Sequence, residues 1–149
     1  MPSGSDFLNC INYGAVWDVA ISRITGLLDL PRLGAFASGP AVTLGFYDGG
    51  ECLRSHEEHA RAARRPRGHS CEEIGGLAYF VGGDLKEPHR LSANEPLFVS
   101  PWGTGCSRYV TTLCAGDSIH AFWQQSQPDR SQPLVTHALS TAEAARILA

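Results

Sequence analysis

Lysine is almost absent from this chain of 149 residues: among 12 basic residues only Lys86 is lysine, and the others are arginine. Apolar runs are also short, and none approaches the roughly 18 to 20 residues that a membrane-spanning helix needs. Residues 1–9 lack the basic and apolar regions of a secretory signal. A net charge of -3 leaves no broad basic surface for nucleic acid. We therefore expect a cytoplasmic protein that crosses no membrane and binds no nucleic acid.

Cysteine is present in an odd number, which disfavours a framework of disulfides. The five cysteines are Cys10, Cys52, Cys71, Cys106 and Cys114. In a reducing compartment such thiols stay available to bind metal or to react. The preference for arginine, with abundant Ala, Gly and Pro, is typical of a GC-rich bacterial genome, so we expect a bacterial source.

Three helices are predicted before the middle of the chain. Residues 7–28 place most of their apolar side chains on one helical stripe, and Pro31 ends that stretch. A second, short helix is predicted over residues 32–38. Residues 53–65 have the Ala, Glu and Arg content of a third helix.

Strand signals dominate the remainder of the chain. Short segments rich in β-branched or aromatic residues are bounded by turn formers at 41–47, 77–81, 97–99, 108–114, 118–126 and 134–139. The last three are expected to form an antiparallel meander, because residues 115–117 and 127–131 are turn signals. Ser140 and Glu143 match a capping box that begins a short C-terminal helix. We expect one α+β domain over residues 1–149, mainly an antiparallel sheet of five or six strands with N-terminal helices and a short C-terminal helix.

Histidine and cysteine are concentrated between residues 52 and 71. Cys52, His56 and His59 are spaced to lie along one stripe of a helix, and His69 or Cys71 follows on the return. Zinc is held by four such nitrogen and sulfur ligands. The segment is therefore a candidate zinc site, although it contains no CxxC pair.

Arginine is concentrated in the same segment, which offers a different interpretation. Five of the 11 arginines lie there: Arg54, Arg61, Arg64, Arg65 and Arg67. Such a group of cations repels a divalent metal and suits phosphate or carboxylate. An anion-binding or partner-binding surface, and a solvated segment without a specific role, both stay open as alternatives.

Two cysteines are candidate nucleophiles. Cys10 lies near the start of the first predicted helix, where the helix dipole lowers the pKa of a thiol. Cys106 ends the Gly-rich stretch 101–106, whose backbone amides can hold an oxyanion. A buried structural role is the alternative for each of them.

Two histidines in neighbouring predicted strands are candidate bases. His120 lies directly opposite His137 if the connecting turn is centred between Pro128 and Asp129. A shift of one residue in register puts the two on opposite faces of the sheet. A hydrogen-bonded role within the sheet is the alternative for both.

Two functions of different class are compatible with these features. The first is a small enzyme that acts on an organic or peptide substrate through Cys10, Cys106, His120 and His137. The second is a non-catalytic module that uses segment 52–71 to bind a metal, an anion or a protein partner. An accessory protein that acts only as a homo-oligomer is a further possibility. No nucleotide-binding glycine loop is present, which disfavours nucleotide-driven chemistry.

Overall fold

The computed structural model describes residues 17–18, 21–50, 73–102, 105–129 and 131–149, and most of them lie in β-strands. A four-stranded antiparallel sheet contains, in spatial order, β1 (Ile21–Asp29), β2 (Val42–Gly50), β3 (Ile74–Val81) and β4 (His89–Arg90). A three-stranded antiparallel sheet contains β5 (Ser107–Ala115), β6 (Ser118–Gln125) and β7 (Leu134–Ser140). Helix α1 (Thr141–Leu148) follows β7, and a 3₁₀ turn (Gly34–Phe36) lies between β1 and β2.

The first sheet is held in register by two long hairpin pairings. Strand β2 pairs with β3 without interruption from Val42 opposite Val81 to Gly49 opposite Ile74. Strand β1 pairs with β2 through a bulge between Ile24 and Gly26. The outer edge of β3 is covered by the short β4 and by a single bridge between Gly75 and Phe98.

The second sheet is the meander that the turn signals predict. Gly116 adopts a positive φ of 55° in the tight turn between β5 and β6, a conformation that glycine tolerates at low cost. Strand β5 carries a bulge between Arg108 and Thr111, whereas the pairing of β6 with β7 is continuous. These three strands and the capped helix after them confirm the prediction for the C-terminal half.

Helix α1 begins at the predicted capping box. The Ser140 hydroxyl accepts from the Glu143 amide, and the Glu143 carboxylate accepts from the Ser140 amide at 3.0 Å. Its C-terminal end reaches the 3₁₀ turn, where a Cβ on Gly34 would meet the Leu148 carbonyl oxygen. Within the part of the chain that the structure describes, no helix is long and apolar enough to cross a membrane.

The core of the first sheet forms around two aromatic rings. Trp17 is fully buried and stacks on Tyr47 with their centroids 5.6 Å apart, and Ile74 and Ala78 pack beside them. The Trp17 indole nitrogen donates to the Ser92 carbonyl at 2.6 Å. Buried indole and phenol groups need such partners, and here the bond fastens residue 17 to the loop after β4.

Strand β5 contacts the first sheet at β1, β2 and β3, and most extensively at β1. The Thr25 hydroxyl donates to the Val110 carbonyl at 2.8 Å, and the Thr112 hydroxyl donates to the Leu27 carbonyl at 2.9 Å. Between these bonds the backbones approach closely at Gly26, where a Cβ would lie 2.7 Å from the Val110 carbonyl oxygen. Glycine is therefore required by the close approach of the two sheets.

The prediction of N-terminal helices is wrong for the described residues. Residues 21–28 belong to strand β1, and the predicted helix over 32–38 is reduced to the 3₁₀ turn. The bulge explains the misleading pattern, because one extra residue puts side chains three positions apart, such as Ile24 and Leu27, on the same face of a strand. The α+β class and the single sheet of five or six strands are also wrong, because most described residues lie in strands and these strands divide into two sheets. Residues 7–16 of the first predicted helix, and the whole predicted helix over 53–65, lie outside the described residues.

Candidate functional site

Four charged side chains meet where the two sheets come together. Arg23 projects from β1, Asp48 from β2 and Arg108 from β5, while Glu73 directly precedes β3. The Arg23 Nη2 donates to Glu73 Oε1 at 2.6 Å and to Asp48 Oδ2 at 3.2 Å. The Arg108 Nη1 donates to Glu73 Oε2 at 3.0 Å. Two carboxylates and two guanidinium groups therefore form one network, which we call the four-charge cluster.

The two carboxylates of the four-charge cluster are removed from water. Asp48 is fully buried and Glu73 nearly so. A buried carboxylate is costly unless donors compensate it, and the two arginines supply them. Burial raises the pKa of Asp48, and the Tyr109 amide and the Arg23 guanidinium oppose that rise. The carboxylates in turn fix the arginines in place.

Tyr109 adopts an unusual backbone conformation beside this cluster. Its φ of 58° lies in the left-handed region, within the bulge of β5. For a bulky residue that conformation costs about 1 to 3 kcal/mol. The Asp48 Oδ1 accepts from the Tyr109 amide at 2.9 Å, which compensates part of the cost. Tyr109 is 44% exposed.

Both arginines contact the ring of Tyr109. The guanidinium carbon of each lies 4.8 Å from the ring centroid, which is the geometry of a cation–π contact. The contact with Tyr109, followed by the two carboxylates, raises the pKa of Arg23. The Arg23 side chain is 48% exposed, so it is the accessible arginine of the pair.

Arg108 has a different environment from Arg23. Its Nε donates to Gln124 Oε1 at 2.8 Å, and its Nη2 donates to Gln132 Oε1 at 3.3 Å. Together with the bond to Glu73, these contacts engage all three of its nitrogens. Arg108 therefore connects the second sheet to the first, while Arg23 faces solvent.

A second ion pair has a structural role. The Arg90 Nη2 contacts both oxygens of the buried Asp18 at 2.6 Å. Nearby, the Tyr47 hydroxyl and the Ser92 hydroxyl are hydrogen-bonded at 3.1 Å, and burial raises the pKa of Tyr47. These contacts attach residues 17–18 to the first sheet beside its core.

Most of the candidate residues from the sequence lie outside the described residues. The zinc site and the preferred nucleophile therefore stay predictions, because their residues belong to this group: Cys10, Cys52, His56, His59, His69 and Cys71. Among the residues that the structure describes, no group of three or more His, Cys, Asp or Glu side chains is placed to hold a metal ion.

Cys106 is fully buried directly before β5. Its carbonyl accepts from the Ser126 amide at 3.0 Å, and the preceding Gly105 has a positive φ of 85°. Within the described residues, no solvent reaches the Cys106 side chain. The glycine serves the turn that leads into the strand.

His120 and His137 lie on opposite faces of the second sheet. His120 pairs with Ala138, and His137 pairs with Ala121. Because side chains alternate along a strand, this register separates the two imidazoles. His120 shares its face with Phe122, whose ring centroid is 6.4 Å from that of His120.

Sequence reasoning missed the four-charge cluster. Its members are 25, 50 and 35 positions apart in the three ion pairs, and no local motif joins them. The strand predicted over 41–47 ends before Asp48, whereas the structure places Asp48 inside β2. Charged residues within strand segments, such as Arg108, were the available signal.

Comparisons with protein-family models, with curated proteins and with solved structures find no match to this chain.

Proposed function

We propose that this chain is a binding module that takes an oxyanion, a carboxylate or a phosphate group, at Arg23 and Tyr109. The observation that supports it best is the exposed Tyr109, held in a left-handed conformation beside a half-exposed arginine. Backbone strain of this kind persists where the surrounding structure enforces it, and it is concentrated at functional sites.

Preorganisation is the physical basis of the proposal. Arg23 is oriented by Glu73 and Asp48 from within, and its guanidinium is in contact with the Tyr109 ring. An arginine fixed in this way loses little side-chain entropy when an oxyanion binds. The guanidinium offers planar, charge-assisted donors to carboxylate or phosphate, and the Tyr109 hydroxyl adds a further donor.

The arginine-rich segment stays a separate hypothesis for anion binding. Its five arginines lie between Asp48 and Glu73 in the sequence and outside the described residues.

The Cys/His enzyme has less support than the binding module in the described part of the chain. Cys106 is sealed from solvent, and His120 and His137 occupy opposite faces of their sheet. A thiol needs a base within hydrogen-bond reach to act as a nucleophile at neutral pH. We therefore propose binding in preference to covalent chemistry.

A titration of the full chain with inorganic phosphate and with succinate tests the proposal, with sodium chloride holding the ionic strength constant. NMR reports the Tyr109 amide and the Arg23 Nε during each titration. We expect both signals to shift and saturate together. Arg23→Gln should weaken binding about tenfold or more, since one charge-assisted interaction is lost.

Arg32→Gln is the matched control. Arg32 is an exposed arginine whose Nη2 donates to the Gly39 carbonyl at 2.8 Å, away from the four-charge cluster. Binding by this variant should equal that of the unmodified protein. Equal weakening in both variants would indicate a general charge effect and refute the site, as would the absence of saturable shifts with either anion.

A further inference from the structure

The described strands leave four sheet edges, and three of them are protected from pairing with another chain. Strand β4 is only two residues long. Strands β1 and β5 each contain a bulge. They also lie against each other, and the Thr25 and Thr112 hydroxyls donate hydrogen bonds between them. Strand β7 is seven residues long, and its register with β6 has no bulge. Long, regular edges are templates for strand addition.

The backbone groups that β7 presents outward follow from its register. The Gln125 amide donates to the Pro133 carbonyl, and the Thr141 amide donates to the Asp117 carbonyl. In an antiparallel pair, bonded positions alternate, so alternate residues from 135 onward bond to β6. The outward positions are therefore Leu134, Thr136, Ala138 and Ser140. The Ser140 amide already donates to the Glu143 carboxylate in the helix cap, so the first three residues are left for an added strand.

The side chains of β7 do not protect this edge. The strand reads Leu-Val-Thr-His-Ala-Leu-Ser and contains no Asp, Glu, Lys, Arg or Pro. Leu134 is 72% exposed, and Thr136 and Ala138 are exposed as well. Natural edges usually carry a lysine, a proline or a bulge against unwanted pairing. None of these devices is present within β7.

We propose that β7 pairs antiparallel with β7 of a second copy of this chain, about a two-fold axis at Thr136. Leu134 of each copy then lies opposite Ala138 of the other, and Thr136 lies opposite its own equivalent. Each outward amide meets an outward carbonyl, for about six backbone hydrogen bonds in total. The pairing joins the two three-stranded sheets into one continuous sheet.

A second copy of β7 can satisfy all of the outward positions of this strand. The three residues are centred on Thr136, so a two-fold axis there satisfies all of them at once, as an isologous interface requires. No ionised side chain on the strand is placed opposite a like charge. Threonine opposite threonine is also a favourable cross-strand pair.

Charge substitution at the axis tests the pairing on the full chain by analytical ultracentrifugation. We expect the unmodified protein to sediment as a dimer. Thr136→Lys and Thr136→Glu should each weaken self-association at least about tenfold, because each puts like charges opposite one another. An equimolar mixture of the two variants should recover a heterodimer, which a foreign-peptide site would not produce.

Thr111→Lys is the matched control. Thr111 and Thr136 are both exposed, and both pair with Phe122, from opposite sides of β6. Lysine at 111 therefore adds the same charge to the same face, away from the β7 edge, and should leave the dimer intact. Circular dichroism confirms that each variant is folded.

Three results would overturn the pairing. The first is an unmodified protein that stays monomeric at all accessible concentrations. The second is a dimer that survives in both charged variants. The third is a mixture of folded Thr136 variants that does not form the heterodimer.

Discussion

Asp48 is a fully buried carboxylate with donors on both of its oxygens, the Tyr109 amide and the Arg23 guanidinium. These donors connect a strained backbone to a half-exposed cation. The residue thus determines both the conformation of Tyr109 and the orientation of Arg23. Its ionisation state is expected to influence the stability of the whole cluster.

Burial raises the pKa of Asp48 above its ordinary value of 3.8, so the folded state binds this proton more tightly than the unfolded state. The contribution of Asp48 to stability is therefore greatest below that value, and it falls as the pH rises through the raised folded pKa. Asp48→Asn removes this titration. We subtract the free energy of unfolding of Asp48→Asn from that of the unmodified protein. This difference should decrease as the pH rises from the ordinary pKa of 3.8 through the raised folded pKa of Asp48, and it should be constant at higher pH.

Urea unfolding of both proteins at a series of pH values, from about 3 to 7, measures this difference. Contributions from the other carboxyl groups largely cancel in the comparison. A difference that increases with pH would mean that the donors lower the pKa of Asp48 more than burial raises it.

At the scale of elements, the two bulged strands determine how the sheets meet. Strands β1 and β5 each carry their bulge near the contact, and Gly26 lies at the closest approach. A Cβ there would lie 2.7 Å from the Val110 carbonyl oxygen and 2.8 Å from the Thr111 Cα. These are backbone atoms, and they cannot rotate away as a side chain would.

Gly26→Ala should therefore destabilise the protein by roughly 1 to 3 kcal/mol, the usual cost of overpacking. This loss of stability is the reverse of the usual effect, because replacing a glycine within a strand by alanine ordinarily stabilises a protein by about 0.5 to 1 kcal/mol. Chemical denaturation measures the change. Unaltered or increased stability of Gly26→Ala would show that β1 and β5 can move apart enough to admit a Cβ without a loss of stability.

Elements with local signals could be predicted from the sequence, and elements that depend on distant partners could not. The β5–β7 meander and the cap of α1 are specified by nearby turn and capping residues, such as Gly116 and Ser140. The apolar spacing of β1 predicts a helix, because its bulge puts residues three positions apart on one face of the strand. Its strand conformation depends on pairing with β2.

At the scale of the whole molecule, a small apolar cavity of about 90 Å³ lies between the two sheets. Its lining comes from both sheets: Phe46, Phe98, Val110, Ala121 and Trp123. Protein interiors are normally close-packed, so the side chains that line this cavity lack some of the van der Waals contacts that a filled core would give them. The same division into two sheets hid the four-charge cluster from sequence reasoning, because its members come from both of them.

Ala121→Val should fill part of this cavity and stabilise the protein by about 1 kcal/mol. Thermal unfolding measures the effect. Ala115→Val is the control, because Ala115 is exposed at the end of β5 and reports the strand preference of valine alone. Equal gains in the two variants would contradict the cavity interpretation, and a loss in Ala121→Val would indicate that the site is too narrow for valine.

The threonine bonds between β1 and β5 also bear on the order of events during synthesis. Each joins residues 85 positions apart, so β1 emerges from the ribosome long before its neighbour exists. Until β5 has been translated, the nascent first sheet has a bare edge, and Asp48 lacks the Tyr109 amide. Contacts of such long sequence separation are typical of slowly folding topologies. A chaperone that shields β1 during translation would act at the stage when this chain is most exposed to aggregation.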